Sequence, residues 1–114
     1  MEIIKQKEVT QGTNADNCNT LEYSFSDKKI DLGVAIIKGR YPESGFCMNT
    51  KCKELIYVVE GSGILYFDNS NTTFSQGDSV LINKNEKYYW ESNYCKVAMI
   101  CTPAFSKEQY KLVE

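Results

Sequence analysis

The sequence predicts an all-β fold, and three observations carry that expectation. Apolar residues recur mainly at period two in short runs, the spacing of strands with alternating faces rather than of helices. Turn-forming residues interrupt those runs at regular intervals, at Gly61-Ser62-Gly63, Asp68-Asn69-Ser70-Asn71 and Gln76-Gly77-Asp78. The stretches left between them have ordinary strand lengths.

Taken in order, residues 2–9 are expected to form a first strand, and the Asn- and Thr-rich stretch 11–20 a loop. Strands follow at 21–25 and 32–38, separated by a turn at 26–29. Residues 39–49, with Pro42 and two glycines, suggest an irregular connection. Strands are then expected at 54–60, 64–67, 72–74, 79–82, 88–91 and 96–102, with Gly61-Ser62-Gly63 as a hairpin turn and Pro103 closing the last strand. The tail 105–114 has room for one helical turn at 107–109, too short to stand as an isolated helix.

Composition excludes several classes of function. A chain of 114 residues and 13.0 kDa, 42% hydrophobic, suits one compact domain. Its longest apolar runs, 34–37 and 55–59, fall far short of a bilayer-spanning helix, and MEIIKQKEVTQ lacks the apolar stretch of a secretory signal. The expected compartment is therefore the cytoplasm, with no membrane partner. Thirteen basic residues against fifteen acidic give a net charge of -2, and Arg40 is the only arginine, so nucleic acid is not an expected partner. Five cysteines without a C-x-x-C pair point to reduced thiols rather than a disulfide framework. The absence of histidine rules out Ser–His and Cys–His nucleophile pairs and histidine-based zinc centres.

Some strands are apolar on both faces, as at Leu55, Ile56, Tyr57, Val58 and Val59. Both faces then need covering. The outer one is expected to meet either the N-terminal strands or a second subunit, making a homodimer.

The run KELIYVVEGSG places Glu54 six residues before Gly61, and Gly77-Asp78 leads through SVLI to Asn83, Asn85 and Tyr88. With the closing TPAFSKEQYKLV, these features make the chain resemble the cupin superfamily, specifically its small single-domain members. The resemblance implies a double-stranded β-helix, or jelly-roll, barrel. It divides the single domain 1–114 into N-terminal strands and loop (1–31), barrel core (32–102) and a short C-terminal tail (103–114). It also exposes a departure. The family's His-x-His falls on Met48 and Thr50 or on Cys47 and Asn49, and its third histidine falls on Tyr88, leaving Glu54 as the one recognisable ligand. A lone carboxylate is a poor cage for a transition metal, so no metal and no cofactor are expected.

The expected site lies in the barrel mouth. Glu54, facing inward with Ile56 and Val58, would anchor a small polar or sugar-like ligand. Tyr88 and Trp90 share a face opposite Glu91 and would stack on it or fill the space of the missing imidazoles. Asn49 and Cys47 join from the motif positions. Met99 joins because Cys95, Val97, Met99 and Cys101 share one face of the last strand. Two other readings compete: a sugar isomerase or epimerase using Glu54 and Tyr88, and an atypical Cys/Asn/Glu metal site.

Overall fold

In the computed structural model, which describes residues 1–114, nine strands follow one another: β1 (Thr10–Ala15), β2 (Cys18–Tyr23), β3 (Asp31–Tyr41), β4 (Phe46–Asn49), β5 (Lys53–Phe67), β6 (Asn71–Ser75), β7 (Ser79–Ile82), β8 (Tyr88–Thr102) and β9 (Tyr110–Val113). The only helical pieces are single 3-10 turns at Gln6–Glu8 and Lys107–Gln109. No helix is long and apolar enough to cross a membrane.

All pairings are antiparallel, and β8 organises them. It is flanked along its length by β3 on one side and β5 on the other. β2 and then β1 extend the sheet beyond β3, while β7 and β6 pair with the two halves of β5. β4 touches the start of β8 at Cys47–Tyr88 and carries β9 on its other edge. The result is a curled antiparallel sheet of the jelly-roll kind that the resemblance implies.

Alternation explains which residues fill the roll. From Lys53 to Val58 every second side chain is buried, and Ile56 and Val58 are joined inside by Ile37, Leu65, Ile82 and Val97, all essentially free of solvent. Each such side chain contributes about 1.5–3 kcal/mol by leaving water. Phe74 and Trp90 meet edge to face at 5.5 Å in the same core.

Four sequence expectations are corrected. Residues 2–9 form no strand; the first strand begins at Thr10. The polar stretch 11–20 is a hairpin, β1–β2, turning at Asp16-Asn17. It lies at the sheet edge, where apolar alternation is not needed. Asn17 fastens it to β3 by donating Nδ2–H to the Arg40 carbonyl at 2.7 Å and accepting from Lys38 N–H at 2.9 Å. The stretch 39–49 is not wholly irregular: β3 runs on to Tyr41 past a bulge at Gly39 (φ 97°), and Phe46–Asn49 is β4.

The fourth correction concerns Gly61-Ser62-Gly63, which reverses nothing. β5 passes straight through it, with register shifts between Val58 and Glu60 and between Ser62 and Ile64. A Cβ on Gly61 (φ 85°) would overlap the Tyr94 carbonyl, and one on Gly63 would crowd the Glu91 carbonyl. These glycines let β5 and β8 approach and curl, a strand use of glycine rather than a turn use. The segments 88–91 and 96–102 accordingly merge into one strand.

The outer face stays bare within the chain. Leu55, Tyr57 and Leu81 are each about half exposed, because β1 and β2 lengthen the sheet sideways instead of lying over it.

Candidate functional site

A cavity of about 520 Å³ opens on the concave side of the sheet, lined among others by Glu54, Tyr88, Trp90, Tyr41, Met99 and Tyr110. Glu54 is the second residue of β5 and points inward by alternation, only 5% exposed, between Ile82 on β7 and Cys101 on β8. Asn49 ends β4 and Tyr88 begins β8, and the β4–β8 contact brings both over the carboxylate. Asn49 donates Nδ2–H to Glu54 Oε1 at 2.7 Å, and the Tyr88 hydroxyl donates to the same oxygen at 2.7 Å. Oε2 receives only a long contact from the Cys101 thiol, at 3.7 Å.

Behind Asn49 the chain's tail continues the network. Gln109, 2% exposed, donates Nε2–H to Asn49 Oδ1 at 2.8 Å. Its Oε1 accepts the backbone N–H of Lys51 (3.1 Å) and Cys52 (3.3 Å) and the Cys52 thiol (3.4 Å). On another wall the Tyr41 and Tyr110 hydroxyls share a hydrogen bond of 2.9 Å.

Electrostatics keep these hydroxyls protonated. Burial, then the negative charge of Glu54, holds the Tyr88 phenol well above its ordinary value of 10. Burial likewise raises Tyr41 to about 12 and Tyr110 further still. The Cys47 thiol is pushed up to about 12 by burial and donates to the Tyr88 carbonyl at 3.3 Å. Cys101 is raised, first by its contact with Cys52 and then by burial, while the same contact lowers Cys52.

The structure therefore gathers three sequence-singled residues, Glu54, Asn49 and Tyr88, at one oxygen. Trp90 and Met99 line the cavity without joining that network, and Cys47 sits beneath Tyr88. Of the two possible placements of the family's His-x-His, Cys47 and Asn49 are buried, whereas Met48 and Thr50 are only half-buried. Gln109, Tyr41, Tyr110 and Cys101 take part as well and are absent from the sequence-derived site. The only sequence signal for Gln109 is its place in the short turn 107–109, where no alternation predicts direction.

These residues do not fit a metal ion. No three His, Cys, Asp or Glu side chains are grouped to share one. The donor set itself explains why. Asn49 turns its N–H2, not its oxygen, toward Glu54, and its oxygen is held by Gln109. Amide and phenol hydrogens thus occupy Oε1, and Oε2 with one thiol beside it offers too few donors to hold an ion. The Cys/Asn/Glu alternative meets the same obstacle.

The sequence profile of the EutQ-like cupin domain matches residues 38–98, more than half of the chain. The chain belongs to the EutQ-like cupin family. Among solved structures, this cupin is similar to Pac13, described as a unique nucleoside dehydratase, with a TM-score of 0.85 and 16% identity over 100% of this chain and 92% of that one. It is also similar to ectoine synthase from P. lautus (TM-score 0.75, 15% identity, 100% of this chain and 91% of that one). The EutQ protein of Clostridium difficile matches with a TM-score of 0.63 and 20% identity over 76% of this chain and 63% of that one. At these identities the likeness is one of fold. No curated protein matches the sequence.

Proposed function

We propose that this EutQ-like cupin binds a small, neutral, polyhydroxylated molecule of sugar or nucleoside size in its cavity, with Glu54 as the anchor. The observation that carries the reading is the asymmetry of the carboxylate. Oε1 is saturated by Asn49 and Tyr88, while Oε2 has one weak thiol contact from Cys101, and Glu54 and Cys101 both line the cavity. A ligand hydroxyl would complete Oε2, and Trp90, Tyr41 and Tyr110 offer aromatic surface to a ring. The volume of about 520 Å³ suits a small-molecule ligand. Substituted forms of Streptomyces PAC13, a protein of similar fold, have been solved with uridine, which supports this size class. A reducing cytoplasm suits the chain, since all five cysteines are free and buried.

The test is calorimetric titration of neutral monosaccharides and nucleosides into the protein and its Glu54→Gln variant. At least one should bind the parent and lose at least tenfold in affinity to the variant. Binding by no panel member, or equal binding by the variant, would overturn the reading.

A second reading, isomerase or epimerase chemistry, is favoured by the 2.7 Å Tyr88–Glu54 contact, a geometry suited to proton transfer. Such chemistry would incorporate solvent deuterium into a bound sugar, and both Glu54→Gln and Tyr88→Phe would abolish the exchange.

A further inference from the structure

We infer that Gln109 is a positioning residue: reaching the site from the C-terminal tail, it dictates the direction in which hydrogen bonds run toward Glu54. The argument starts at two groups that cannot reverse. The backbone N–H groups of Lys51 and Cys52 only donate, so the side-chain atom of Gln109 facing them must be its oxygen. The Gln109 N–H2 must then face Asn49 and can meet only its oxygen, at 2.8 Å. Asn49 is left to present its own N–H2 to Glu54 Oε1, at 2.7 Å. Two successive side-chain amide orientations are fixed by one pair of backbone donors. Asn49 and Gln109 are each 2% exposed, so no bulk water competes for either amide.

The tail is held for this task by main-chain bonds as well. The Gln109 carbonyl accepts from both Thr50 N–H and Thr50 Oγ1–H at 2.9 Å, and β9 pairs with β4 directly after it. The functional consequence rests on the reading of Glu54 as a ligand anchor: with Oε1 doubly occupied, the oxygen left for a ligand is Oε2, an acceptor for a hydroxyl or amide N–H. The orientation of Asn49 does not rest on that reading.

The test uses side-chain amide NMR on the full chain. In the parent, the Asn49 N–H2 protons should exchange slowly with solvent and show cross-relaxation to the Tyr88 ring. Gln109→Glu puts an acceptor where the donor stood, so Asn49 should turn over and lose the contacts to Tyr88. Gln109→Met removes the relay without a charge and should speed amide exchange at least tenfold; it decides the matter if Gln109→Glu does not fold. Thr50→Val loosens the tail but spares the relay and should leave the Asn49 signature in place. Unchanged Asn49 contacts and exchange in the Gln109 variants, or their loss in folded Thr50→Val, would overturn the inference. Ligand affinity is scored separately: an altered Asn49 signature with unchanged affinity would sustain the positioning role and sink the anchor reading.

Discussion

Replacing Glu54 by leucine isolates the worth of the hydrogen bonds converging on it. Leucine fills nearly the same volume, so the effect is polar rather than a cavity. The Asn49 N–H2 and the Tyr88 hydroxyl, on residues 2% and 4% exposed, lose their common acceptor. Each orphaned donor costs about 1–3 kcal/mol, for a total of about 2–6 kcal/mol. Removing a carboxylate from an apolar interior and burying a leucine give back about 1–2 kcal/mol. At mid-range the net loss is about 2.5 kcal/mol, and at about 4 °C per kcal/mol for a domain of this size the Tm should fall by about 10 °C. Trp90, the single tryptophan and 3% exposed, reports unfolding by its fluorescence in a urea titration. Adding Tyr88→Phe removes one orphan and should recover about 1–3 kcal/mol. A Glu54→Leu protein as stable as the parent, or a double variant no more stable than the single, would refute the reasoning.

Burial raises the Asp31 carboxyl above its ordinary 3.8, against hydrogen bonds from the Phe105 N–H and Cys101 and the charge of Lys28. A raised folded value means that stability from the neutral form is complete below 3.8 and lost as pH rises through the folded value. Asp31→Asn should therefore exceed the parent in urea midpoint at neutral pH, and the gap should close in acid; a gap independent of pH would count against this. With Cys47 raised to about 12 and Cys18 to about 11, and all five thiols buried, a colorimetric thiol reagent near pH 8 should find none in the native protein and all five after denaturation. Gly61→Ala, which must hold φ near 85° against the Tyr94 carbonyl, should cost about 2–4 kcal/mol by the same urea assay, whereas a true hairpin glycine would tolerate more.

How much of this was legible beforehand depends on how directly a residue's position encodes its direction. Strand alternation is local, so the inward placement of Glu54, Tyr88, Trp90 and Met99 can be read from neighbours two residues away. Glycine is ambiguous: Gly61 and Gly63 look the same whether the chain reverses or two strands draw close, and only the carbonyls of Tyr94 and Glu91, some thirty residues on, distinguish the cases. Edge strands carry little alternation, which hid the β1–β2 hairpin. Gln109 was invisible for another reason. Its partners at 49, 51 and 52 come from the opposite end of the barrel sequence, and nothing local marks a glutamine as buried.

The eighth strand has a bearing on how the molecule comes into being. β3 and β5 never pair with each other; both wait for β8, and closing those pairings spans roughly half the chain. A ribosome adding about 5–20 residues per second leaves the inner faces of β3 and β5 without a shared neighbour for several seconds. Throughout that interval the Glu54 carboxylate travels hydrated and free. Its dry setting is complete only once residues 103–114 have followed β8 and Gln109 closes on the amides behind it, so the sheet can form before the network around the carboxylate does.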